Sequence, residues 1–171
     1  MEKHKIFLLS IYLFNGLFAV INTFEDSYTR VNNINTPFES ITMSQFDVDA
    51  LMREDEENAG LGVPTRFAYA FDVDYNIKNV GTWEKTADGG MVWRLGIYSR
   101  DAFGMKFFFD SYLLPDGAKL YIFSMEENMS IGPYSHEQNH ADGAFGTPLV
   151  KSDHVVIEYY QPSNVLFPPQ L

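Results

Sequence analysis

The chain has no cysteine among its 171 residues. That excludes a disulfide framework, thiolate metal sites and the attachment residue of a bacterial lipoprotein. Any fold must therefore hold by packing alone. Basic residues are also scarce, 12 Lys and Arg against 23 Asp and Glu, giving a net charge of −11. Nucleic acids and anionic membranes need a basic footprint, so neither is an expected partner. An uninterrupted apolar run of about 20 residues, the requirement for a spanning helix, is missing too. The nearest approach is Ile6 to Leu13, which Asn15 separates from a second stretch, Gly16 to Ile21.

That interrupted run follows Lys3 and Lys5 and reads as an export signal over residues 1–23, with Ala19 the one small residue well placed near its end. Its removal lowers Lys and Arg from 12 to 10 and Asp and Glu from 23 to 22, leaving a charge of about −12. The expected location is secreted, cell-surface or periplasmic, with no membrane contact once the signal is gone.

What remains is 46% hydrophobic and 16% aromatic over the whole chain, enough for one packed domain. Residues 24–60 read as an Asn-, Thr- and Ser-rich arm. A short helix is expected between Met43 and Asn58, capped by Ser44 and opposed at its end by Glu54-Asp55-Glu56-Glu57. From residue 61 to 162 the period changes. Strands are expected at 66–75, 80–86, 91–99, 105–114, 119–125, 130–134, 145–150 and 154–161, with turns at Asp88-Gly89-Gly90 and Pro115-Asp116-Gly117. The pattern predicts an all-β fold, an antiparallel jelly-roll-like sandwich of seven to eight strands. Residues 163–171 are Pro-rich and read as a linker to an absent downstream domain.

Within this region Trp93-Arg94-Leu95, the turn at Pro115 and Gly117, Gly132-Pro133, Thr147-Pro148-Leu149-Val150, Asp153 and Val156-Ile157-Glu158-Tyr159 recur in a characteristic order. The ordered set, spanning roughly residues 60–162, resembles the amino-terminal propeptide region of secreted bacterial lysyl-endopeptidase-type serine proteases. The resemblance implies a noncatalytic module that assists the folding of a cognate serine protease domain, or inhibits it. One departure is Ser152 in Lys151-Ser152-Asp153, where related sequences commonly carry glycine.

Catalytic readings compete with this one. His136-Glu137-Gln138-Asn139-His140 matches H-E-x-x-H, the zinc-peptidase pattern, and Glu158 follows His140 by 18 residues. The chemistry needs both histidines on one helical face. Here Gly132-Pro133 and Asp142-Gly143 flank a segment with no apolar face, so it reads as a loop and no metal is expected. Of Ser99, Ser111, Ser124, Ser135 and Ser152, none sits in a glycine-framed nucleophile context that His136, His140 or His154 could serve. No catalytic residue and no cofactor are expected.

Carbohydrate binding is the alternative, with Trp83, Trp93, Tyr98, Tyr112, Tyr134, Tyr159 and Tyr160 as stacking candidates. Asp72 with Asp74, and Glu126 with Glu127, are pairs that could hold calcium but read better as solvated carboxylates. Arg94 and Glu158 each lie in an apolar strand, so each either faces solvent or meets a partner.

Overall fold

A computed structural model describes residues 26–64, 66–126 and 129–171. The expected export signal lies outside these residues, as does Glu127. Among the described residues, no helix is long and apolar enough to cross a membrane.

The fold is mainly β. Its centre is β8 (His154–Gln161), where Val155, Ile157 and Tyr159 alternate with Val156, Glu158 and Tyr160. Such period-2 alternation sends the two sets to opposite faces. On one side β8 pairs antiparallel with β3 (Met91–Tyr98) over eight positions, from Met91 opposite Gln161 to Tyr98 opposite His154. On the other it pairs with β5 (Lys119–Ser124), which in turn carries β6 (Ser130–Tyr134). The far edge of β3 is shared. Residues of β2 (Thr82–Lys85) take its first half antiparallel, and β1 (Ser40–Thr42) takes its last three residues parallel.

One face of this six-stranded sheet carries the core, formed by Trp93, Leu95, Ile97, Leu120, Ile122, Val155, Ile157 and Tyr159. Burying a side chain of that size contributes about 2 kcal/mol. Opposite lie Tyr112, Leu114, Val150 and Leu171, with half-buried Phe107, Phe109 and Phe145. Trp93 shows how tightly the edge closes: its indole donates to the Val80 carbonyl at 2.9 Å. A side chain at Gly81 would overlap that ring, and Gly81 itself has φ +83. Only glycine suits both demands.

Of the expected sandwich, only the mainly-β character is present. Opposite the main sheet stands a ladder of two residues per strand, β4 (Phe108–Phe109) with β7 (Phe145–Gly146), plus an isolated bridge between Met105 and Val150. The sheets do not close. The expected strand over 66–75 is extended but joins neither sheet. Its alternation is real, yet it carries no ladder.

Both terminal segments depart from expectation. Residues 26–42 are built into the sheet instead of trailing from it: Ser27 is buried and β1 lies in the ladder. The helix of the arm is α2 (Val48–Asn58), capped by Asp47 accepting from the Ala50 amide at 2.9 Å, not by Ser44. Its acidic C-terminal turn is offset by Arg66, which meets Glu54 at 2.8 Å and Asp55 at 3.4 Å. At the other end the expected linker folds back. Gln170 and Leu113 exchange two backbone hydrogen bonds of 2.9 Å, and Leu171 enters the core.

Removal of the arm should therefore do more than shorten the protein. A chain begun at Met43 is expected to lose cooperative thermal unfolding or solubility, checked by circular dichroism melting. An unchanged melt would show that residues 26–42 merely lie against the sheet.

Candidate functional site

The second face of the sheet is where charge is withheld from water. Arg94 and Glu158, cross-strand neighbours on β3 and β8, are 1% and 0% exposed. A buried charge without partners costs several kcal/mol, so the location of each head group decides the local structure. The two heads diverge. Arg94 donates through Nη2 to Glu84 on β2 and to the Thr36 hydroxyl at 2.7 Å, with its guanidinium 5.0 Å from the Phe38 ring centre. Glu158 points to α1 (Tyr28–Val31), a single turn capped by Ser27, and accepts the Thr29 amide at 3.3 and 3.2 Å.

The arm supplies nearly every other partner on this face. Tyr28 stacks on Tyr160 at 4.2 Å, and the Tyr160 hydroxyl donates to Asp88 at 2.7 Å. Arg30 donates to the Ser124 carbonyl at 2.7 Å while lying 4.7 Å over Phe123, which packs with Tyr121, Val156 and Phe38. Asp88 accepts from the Thr86 and Tyr160 hydroxyls and the Gly90 amide, which hold its carboxyl down at about 2. Burial pushes the Glu158 carboxyl above its usual range, against the pull of Thr29, Tyr28 and the Arg94 charge. These groups bond one another, so the arrangement fastens the arm.

The H-E-x-x-H segment folds otherwise than zinc chemistry requires. His136–Gln138 is one 3₁₀ turn, closed by a capping box between Ser135 and Gln138, and Asn139 beyond it is extended at φ −65°, ψ 127°. The residue that matters is Asn139. Its side-chain amide donates to the Leu114 carbonyl at 2.8 Å and accepts the Leu114 amide at 2.9 Å, as a strand residue would. Tyr112 adds a hydrogen bond to the Ser135 carbonyl at 3.1 Å, while His136 Nδ1 lies 3.3 Å from Asp116. Among the described residues no group of three or more His, Asp or Glu is placed to hold a metal ion. Glu158 is buried under the arm on the other face.

The nearest approach to a nucleophile and base is Ser40 Oγ, 3.4 Å from His154 Nε2. His154 forms no ion pair with a carboxylate among the described residues, and its ring contacts Tyr98 edge-on. The sugar-stacking candidates divide: Trp93, Tyr112 and Tyr159 are buried, and Tyr160 is occupied by Tyr28. Trp83 is the one exposed member, beside an open groove shared with Lys78, Leu166 and Phe167.

The remaining resemblance residues are joints of the scaffold. Pro115 is buried at the start of a turn that Gly117 completes with φ +78. Gly132 has φ +108 at the bulge between β5 and β6, and the Pro148 carbonyl accepts the Thr147 hydroxyl at 2.9 Å. Asp153 accepts the Ser99 amide at 2.8 Å through its carbonyl. Ser152 is not at positive φ, so it is not strained. Its hydroxyl instead joins Ser124 at 3.0 Å and the His154 amide at 3.1 Å. No protein-family model matches the chain, and no solved structure matches it significantly.

Two predictions follow from these contacts. Raised pKa values favour the folded state at the acid end. Between the unfolded value near 4.5 and the higher folded value, the native protein takes up a proton before the unfolded chain does. The stability of the native chain relative to Glu158→Gln should therefore rise on acidification through that window and stay level above it, measured by urea unfolding from pH 8 to 4. A difference that falls on acidification would show that Arg94 outweighs burial.

In the loop, Asn139→Ala should cost about 2 kcal/mol because it orphans both Leu114 backbone groups. His140→Ala should stay within about 0.5 kcal/mol, as an exposed substitution does. Urea midpoints check both. Equal losses at the two positions would return His140 to consideration as a constrained ligand.

Proposed function

We propose that this chain is a noncatalytic, exported β module of the propeptide type, acting on a lysyl-endopeptidase-like serine protease domain by assisting its folding or inhibiting it. In this reading the two-stranded ladder and its flanking loops are the second layer of a rudimentary sandwich. The observation that carries the proposal is the placement of the resemblance residues. Trp93, Arg94, Pro115, Gly117, Gly132 and Glu158 all serve the scaffold, as expected of a module whose work is done by its surface. That surface carries large exposed apolar side chains at Phe67, Phe103, Phe108 and Leu166.

The open groove beside Trp83 supports a second reading, an extracellular carbohydrate-binding module. A single exposed tryptophan is a smaller platform than that reading expects.

The test uses a lysine-specific, trypsin-like protease domain encoded together with this chain. Refolding that domain from denaturant with an equimolar amount of the chain should raise recovered peptidase activity several-fold over refolding with albumin, or the chain should inhibit the native domain at equimolar ratio. Neither effect, or no such protease domain encoded with the chain, overturns the proposal.

A further inference from the structure

Arg66 to Tyr75 forms an extended segment, Arg-Phe-Ala-Tyr-Ala-Phe-Asp-Val-Asp-Tyr, that belongs to neither sheet. Among the described residues it makes no backbone–backbone hydrogen bond. The main-chain hydrogen bond it does make there is to a side chain: the Asp74 carbonyl accepts from the Asn79 amide side chain at 2.7 Å. Aromatic and β-branched residues alternate with alanine and aspartate, so the extended backbone sets Phe67, Tyr69, Phe71 and Val73 in one row. Phe46 stacks on Tyr69 at 4.3 Å and meets Phe71 edge-on, covering part of the row. Phe67 is 93% exposed. A strand with open hydrogen-bonding edges and an apolar row is a template for pairing with another strand.

We propose that this segment pairs antiparallel with the same segment of a second copy of the chain, about a two-fold axis through Ala70. The argument is self-complementarity. In that register Arg66 lies opposite Asp74, Phe67 opposite Val73, Ala68 opposite Asp72 and Tyr69 opposite Phe71. Residues directly opposed in an antiparallel pair share a face. One face therefore joins the two apolar rows, while the other has alanines at its centre and an Arg–Asp pair at each end. Within one chain Arg66 and Asp74 stand about 26 Å apart along an extended backbone, so they can meet only between copies. Arg66, now on Glu54 and Asp55, is half-buried and can turn to the strand partner.

Neighbouring registers are poorer. An axis at Tyr69 keeps Arg66 opposite an aspartate, Asp72, but brings Pro64, which has no N–H, into the ladder opposite Asp74. An axis at Phe71 leaves Arg66 facing Asn76 and loses both ion pairs.

The absence of cysteine makes the register directly readable. Opposed Cα atoms in an antiparallel pair are about 4.5–5.5 Å apart, within disulfide range. Under mild oxidation full-length Ala70→Cys should form a cross-linked dimer, whereas Phe67→Cys and Val73→Cys should each fail alone and cross-link when mixed. In sedimentation equilibrium, Arg66→Asp and Asp74→Arg should each weaken self-association about tenfold, and the double variant should restore it to within about threefold. Each variant is first required to melt cooperatively like its parent. A parent chain that sediments as a monomer at about 100 μM, cross-linking indifferent to position, or a double variant no better than the singles overturns the proposal.

Discussion

The structure depends on the row that crosses the sheet through Arg94 and Glu158. Two opposite charges occupy facing positions in the middle of the longest strand pair, where apolar side chains would have been simpler to bury. Their desolvation has to be offset by partners beyond one another. Glu84 of β2 and Thr36 of the arm serve the guanidinium, and the first turn of α1 serves the carboxylate. One face of the sheet is thus closed by hydrocarbon and the other by a polar segment distant in sequence. Thr29 and Glu158 are 129 residues apart, so the contact that satisfies Glu158 ties the start of the fold to its last long strand.

The same economy accounts for the two perturbed carboxylates. Perturbed carboxylates often mark catalytic sites, but a catalytic group must also be open to a substrate. Glu158 is capped by backbone amide, and Asp88 is saturated by two hydroxyls and an amide. Both are held by their neighbours. The open grooves lie elsewhere, beside Trp83 and beside α2.

Much of the sheet was legible because its pattern is local. The ranges of β6 and β8 were read to the residue, and β3 and β5 to within one, since alternation bounded by turn residues is what a half-buried strand writes into sequence. The segment 66–75 carries the same signature without a ladder, because period describes a chain's own faces and says nothing of a free edge. The arm is illegible for the opposite reason: Thr29 and Thr36 are polar, and their partners are charges on strands distant in sequence. Asn139 hid within a motif whose histidines drew the attention. Its role depends on the Leu114 backbone 25 residues away, which no spacing rule encodes.

Topology then separates what must stay fixed from what is free to bind. Strands β1 and β2 both dock on one edge of β3, and the 39 residues between Thr42 and Thr82 leave the sheet and return to nearly the same place. The two ends are fastened together: the Glu39 amide donates to the Thr82 hydroxyl at 2.9 Å, and the Glu39 carboxylate accepts the Gly81 amide at 2.7 Å. Once a loop is closed, added length costs little, since the entropy of closure grows only logarithmically. The excursion can therefore carry α2 and the aromatic row without loading the core. Its ends pack on the core through Met43, Tyr75, Ile77 and Val80, while α2 between them buries no residue, and a stretch so tethered beside a rigid sheet is the usual setting of a recognition surface.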